Sequence, residues 1–196
     1  MKDPLLDPEH PDETRLEPDE RRQLLLPHVA TRAELNEAEQ ENITDAAAWA
    51  FARRRDVLSE RFLVALHKRM LGRVWRWAGT ICDSDRNIGV AFHQVRPQLR
   101  ALMENACFWV ENQTFPADEI AVRFHHRLVL IHPFPNGNGR HGRLAADLLA
   151  VRLGRPRFSW GSGSLIEPAD TRRRYIEALR AADEGYVKPL LTFVRS

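Results

Sequence analysis

His132 opens a stretch, His132-Pro-Phe-Pro-Asn-Gly-Asn-Gly-Arg-His-Gly-Arg143, whose residue types suit one kind of chemistry. An imidazole that is neutral near pH 7 can take a proton from a hydroxyl. Gly137 and Gly139 let backbone amides approach a ligand with no Cβ in the way, and amides at a helix start point outward with the positive end of the helix dipole. Arg140 and Arg143, three apart on a helix, can face one bound phosphate chain. A base beside an anion cradle is equipment for phosphate-group transfer, and the paired guanidiniums suit a di- or triphosphate.

Such a loop works only if rigid elements hold both of its ends. Glu119 to Ile131 reads as a buried helix and Arg140 to Leu153 as another, so the prolines and glycines of residues 133–139 must join them tightly. Helical spacing recurs in Phe62, Leu66 and Met70, in Leu99, Leu102 and Ala106, in Phe124 and Leu128, and in Leu144, Leu148 and Val151. Gly72 and Gly154 mark helix ends, and Pro97, Pro168 and Pro189 mark helix starts. Thr31-Arg-Ala-Glu34 matches a capping box, which starts a helix at Thr31 and carries it towards Asn42. Between Gly79 and His93, apolar Ile81, Ile88, Val90 and Phe92 alternate with Asp, Ser, Asn and Gly, predicting a short β-hairpin or flap. Trp75, Trp77, Trp109 and Trp160 read as core or pocket wall. The expected fold class is all-α.

The net charge of +2 conceals an asymmetry: residues 1–45 carry 5 Lys+Arg against 13 Asp+Glu, leaving 24 against 14 in the remainder. Residues 1–30, with five prolines among many acids, read as an arm draped on or loose from a basic body at 31–196. A basic body suits an anionic ligand. Arg53–Arg55 and Arg172–Arg174 could grip nucleic acid, and solvated helix faces explain them equally well; no recognised nucleic-acid module accompanies them, so nucleic acid is not the favoured partner. No Gly-Lys-Ser/Thr segment supports a P-loop. His125, His126, His132 and His141 lack metal-ligand spacing. Cys82 and Cys107 read as reduced thiols, and with no signal segment or apolar span in view the expected location is the cytoplasm.

The loop also resembles the active-site signature of the Fic (Fic/Doc) family, His-x-Phe-x-(Asp/Glu)-Gly-Asn-Gly-Arg-x-x-Arg, at seven of its eight defined positions. The similarity extends over roughly residues 31–194, including Trp77-Ala-Gly79 and Arg174-Tyr-Ile-Glu-Ala-Leu179, and within the family is strongest to the subgroup called mobile mystery protein B. It implies a helical Fic core acting as a protein adenylyltransferase: His132 deprotonates a Ser, Thr or Tyr hydroxyl of a target protein, the oxygen attacks the α-phosphorus of ATP, and pyrophosphate leaves. Gly137, Asn138 and Gly139 would hold the α- and β-phosphates, Arg140 the phosphate chain and Arg143 the γ-phosphate, with Phe134 anchoring the loop. The flap edge at Asn87, Ile88, Gly89 and Val90 would dock the target, and automodification is open to such an enzyme.

The departure is Asn136, where the family places Asp or Glu to hold Mg²⁺. A neutral amide oxygen binds a hard cation more weakly than a carboxylate. The resemblance also implies an inhibitory helix with the pattern (Ser/Thr)-x-x-x-Glu-(Gly/Asn), whose end is supplied by Glu41-Asn42 on the helix 31–42, with Glu37 at the first position. Glu184-Gly185 is a rival. Two other functions stand beside AMP transfer: phosphoryl or other phosphate-containing-group transfer in the same fold, and a nucleotide-binding module with little turnover.

Overall fold

A computed structural model describes residue 14 and residues 16–162 and 168–196. Most of the acidic arm, residues 1–13 and 15, lies outside the described residues, as do the arm's first three prolines. Among the described residues there are eight helices and no strand: α1 (Pro18–Arg21), α2 (Arg32–Phe51), α3 (Glu60–Leu71), α4 (Phe92–Glu111), α5 (Ala117–Ile131), α6 (Asn138–Arg152), α7 (Pro168–Asp183) and α8 (Lys188–Val194).

Helix α2 begins as its capping box dictates. The Thr31 hydroxyl accepts the Glu34 amide at 3.3 Å, and the Glu34 carboxylate accepts the Thr31 amide at 3.0 Å. It does not stop near Asn42 but runs to Phe51, because the alanine-rich turns after Asp45 favour helix and keep a narrow face towards the body. That face is Leu35, Glu39, Asn42, Ala46 and Ala50. Asn42 joins α2 to the end of α3: its amide donates to the Arg69 carbonyl at 2.6 Å and its oxygen accepts the Arg73 amide at 3.0 Å. Groups left over at a helix terminus are satisfied in this way.

Helix α6 is the centre of the molecule. Ala145, Ala146, Leu149 and Ala150 have no exposed surface, and α5 packs along it. Small Gly142 permits that approach, since a Cβ there would stand 2.9 Å from Val129 Cγ2 and 3.2 Å from His125 Nδ1. Leu144 and Leu148 join the core as their spacing predicts, whereas Val151 is 43% exposed, one position past the buried stripe.

Two elements differ from their sequence reading. The segment predicted as a hairpin forms no strand: residues 80–91 run as bends, with Gly89 at φ +105°. Its backbone is bonded outside a ladder, the Cys82 amide donating to the Pro133 carbonyl at 2.9 Å, which pins the segment to the loop after α5. Pro97 lies inside α4 rather than at its start. The helix begins earlier because the Asp85 carboxylate accepts the Phe92 amide at 2.8 Å, satisfying a first-turn donor from seven residues upstream.

Leu16 and Val29 are buried in the common core, and the Leu25 amide donates to the Val74 carbonyl at 2.8 Å, so the described part of residues 16–30 packs on the body. Among the described residues no helix is long and apolar enough to cross a membrane.

Candidate active site

Helix α5 ends at His132, whose left-handed backbone (φ 56°) turns the chain out of the helix, and α6 begins after Gly137 (φ 77°). Between them the loop is fastened from below. Phe134 is fully buried, stacked on His67 with centroids 3.8 Å apart and meeting the edge of His141 at 5.0 Å. Removing so buried a ring costs about 3–5 kcal/mol. Asn138 spends its side chain on the same anchor, its amide donating to the Phe134 carbonyl at 2.7 Å and its oxygen accepting the Phe134 amide at 3.0 Å. What Asn138 can offer a phosphate is therefore its backbone.

His67 was not singled out by sequence, where it reads as one more residue of a buried helix. Its Nε2–H donates to the Asn136 carbonyl at 2.9 Å and its Nδ1 accepts the Gly79 amide at 2.9 Å, which joins the loop to the end of the Trp77-Ala-Gly79 turn. Burial holds this imidazole well below its ordinary pKa, so it is neutral with that tautomer fixed.

The groups facing solvent line a cavity of about 890 Å³, a volume suited to a nucleotide-sized ligand. His132, Asn136, Gly137, Asn138, Gly139, Arg140 and Arg143 all border it, as do Asn87, Ile88 and Gly89. Val90, the last residue of the expected docking edge, is half-buried against the core instead. Gly89 presses on His132: a Cβ there would stand 2.5 Å from His132 Cβ. His132 Nδ1–H donates to the Val129 carbonyl at 3.3 Å, leaving Nε2 as an acceptor, and the Thr14 hydroxyl donates to it at 2.7 Å. Burial pushes His132 down to about 4, opposed by the Val129 bond and assisted by the Arg86 charge. The imidazole is thus a neutral acceptor with its free nitrogen on a hydroxyl.

The arginines differ in their surroundings. Arg140 Nη1 donates to Glu39 Oε2 at 2.6 Å, and Glu39 Oε1 accepts the Trp75 indole N–H at 2.6 Å. Arg143 lies over the ring of Tyr175, 5.6 Å from its centroid. Burial raises the Tyr175 phenol to about 12, and its hydroxyl meets His125 Nε2 at 2.9 Å. Trp160, 4.7 Å from His125 between ring centroids, donates its indole N–H to Asp147 at 3.1 Å and lines the cavity.

Glu41, expected as the inhibitory residue, is exposed on α2; the acid of this helix that reaches the pocket is Glu39, two residues earlier and only 7% exposed, and it meets Arg140. Residues two apart on a helix differ by about 200° in direction, so both cannot face α6. Glu184 is likewise exposed.

The residues do not fit a resident Mg²⁺. Asn136 Oδ1, the only side-chain oxygen the loop could lend a cation, accepts the Gly137 amide at 2.6 Å. Among the described residues no three His, Cys, Asp or Glu side chains gather as a metal site.

Comparison with known proteins agrees with the geometry. Residues 57–150 match the Fic/DOC family. The chain is 31% identical to protein adenylyltransferase fic-1 of Caenorhabditis elegans over 147 residues, covering 71% of this chain and 27% of that protein. It is 32% identical over 138 residues to protein adenylyltransferase Fic of Drosophila yakuba, covering 67% and 26%. The chain spans about a quarter of the length of the curated relatives it matches. A solved structure of C. elegans Fic-1 superposes with a TM-score of 0.54 at 31% identity, covering 70% of this chain and 39% of that one. BepC of Bartonella tribocorum, solved with bound AMPPNP, shares the fold at a TM-score of 0.67 and 17% identity, covering 85% and 87%. The helical core and its loop are those of a Fic domain, and the chain belongs to the Fic/DOC family.

Proposed function

We propose that this chain transfers AMP from ATP to a Ser, Thr or Tyr hydroxyl of a protein. The observation that carries the reading is the neutral His132 Nε2 held on a hydroxyl at 2.7 Å, in the same cavity as the amino terminus of α6 and both arginines. His132 accepts the hydroxyl proton. The amides of Gly137, Asn138 and Gly139 receive the α- and β-phosphates with the helix dipole behind them. Arg140 grips the phosphate chain and Arg143 the γ-phosphate. The named activity of the C. elegans and Drosophila relatives supports the same reaction.

Autoinhibition belongs to the same proposal. Glu39 occupies Arg140, so an arriving triphosphate must displace a carboxylate that is itself held by Trp75. Residues 87–89 form the cavity rim on which a target segment would lie, residues 31–196 are the catalytic unit with residues 1–30 as its arm, and the setting is the cytoplasm. Any Mg²⁺ would arrive with ATP, taking its ligands from phosphates and water more than from Asn136.

The test is incubation with ATP labelled at the α- or at the γ-phosphate, in wild type and His132→Ala. Label entering protein from the α position, and only with His132 present, is expected. Label from the γ position marks phosphoryl transfer. Binding without transfer marks a nucleotide-binding module, the reading that Asn136 keeps open.

A further inference from the structure

The hydroxyl on His132 belongs to this chain. Thr14 Oγ1 reaches His132 Nε2 across 118 residues of sequence, and it does so as part of a fastened segment. The Asn136 amide approaches the Thr14 carbonyl at 3.5 Å. Two residues on, Leu16 is buried in the core, and its carbonyl accepts Arg21 Nε at 3.0 Å. Glu20, at the end of the same short helix, receives both terminal nitrogens of Arg86, at 2.8 and 2.5 Å, with both side chains nearly fully buried. Arg86 in turn belongs to the segment that Cys82 pins to Pro133. The described part of the arm, Thr14 and residues 16–30, therefore has a docked register, and that register sets one hydroxyl against the free nitrogen of His132.

We infer that Thr14 is a cis acceptor: the site modifies its own arm at Thr14. The inference deepens the proposed nucleotidyl transfer and rests on it. The Thr14–His132 contact is the hydrogen bond that a general base makes to the hydroxyl it deprotonates, and tethering on one chain supplies the proximity that an external acceptor must obtain by binding. As the Thr14 proton passes to His132 Nε2, Thr14 Oγ1 bonds to the α-phosphorus of a nucleoside triphosphate. The bond from that phosphorus to the bridging oxygen breaks, and pyrophosphate leaves with the electron pair. The imidazolium then returns its proton to pyrophosphate or water. The product is a threonyl nucleoside-monophosphate diester, which no longer has a hydroxyl to donate to His132. Modification thus removes the contact that seats the arm on the base.

The experiment uses the full chain and its Glu39→Gln form with α-labelled ATP, followed by peptide mass spectrometry. One AMP on the peptide containing Thr14 is expected, at a rate per molecule unchanged by dilution. Thr14→Ser should retain the label, whereas Thr14→Val, which keeps size and removes the hydroxyl, should lose it. AMP on other residues or on added protein with Thr14 bare overturns the cis acceptor and leaves nucleotidyl transfer standing. Label on Thr14 whose rate falls on dilution overturns the cis geometry. No label on any residue in either form overturns both.

Discussion

Glu39 and Arg140, one from α2 and one from the first turn of α6, meet at 2.6 Å with only 9% of the carboxylate and 31% of the guanidinium side chain exposed. The pair places Arg140, the arginine proposed to grip the phosphate chain, under restraint from a helix outside the loop. Removing the charge alone separates restraint from structure, because Glu39→Gln keeps an oxygen for the Trp75 indole. It is expected to tighten ATP binding by about tenfold, the equivalent of about 1.4 kcal/mol, read by titration calorimetry. Glu41→Gln should leave affinity unchanged.

Asn136→Asp puts a carboxylate where the amide now accepts Gly137 N–H. Transfer of α-label from ATP in the presence of Mg²⁺ should rise, because a charged oxygen is the stronger ligand for a hard cation. An unchanged or lower rate counts against this account of Asn136.

Gly89 and Gly139 make a paired test of the loop surroundings. A Cβ at Gly89 would meet His132 Cβ at 2.5 Å in a backbone at φ +105°, so Gly89→Ala should displace the base and lower the transfer rate more than it weakens ATP binding. Among the described residues, nothing lies within 4 Å of a Cβ built on Gly139. Gly139→Ala should therefore keep its melting temperature while losing affinity for ATP, because the methyl group would stand in the proposed phosphate site.

The buried histidines make the fold sensitive to acid. Burial lowers His125 to about 3 and His132 and His141 to about 4, from an ordinary 6.5, and moves His67 down as well. The unfolded chain then binds protons that the folded one refuses, so stability rises with pH across this window. As pH falls from about 6.5 towards 4, each such histidine withdraws about 1.4 kcal/mol per pH unit. Melting temperature measured between pH 7 and pH 4 should drop steadily over that interval, and a flat profile would contradict the burial of these groups as neutral species.

How much of this the sequence discloses depends on distance along the chain. The loop from His132 to Arg143 is legible because its base, amides and guanidiniums are contiguous, and the helices beside it announce themselves through spacing. Glu39 shares the Leu35, Asn42, Ala46 stripe that faces the body, whereas Glu41-Asn42, which fits the family pattern more closely, puts its carboxylate on the exposed face. Two charged residues two apart look alike until the helix phase is known. The Asp85 bond that starts α4 early and the Cys82–Pro133 bond that replaces a hairpin come from side chains and backbone groups that spacing does not weigh. Thr14, Glu20 and Arg86 carry no local pattern at all; their meaning lies in contacts made after the chain has folded back on itself.

The most direct test of the account is α-labelled ATP given to Glu39→Gln protein with His132 present or replaced by alanine, with binding of ATP measured in both. The account predicts equal binding and label in protein only where His132 is present. Equal labelling of the two proteins would contradict it.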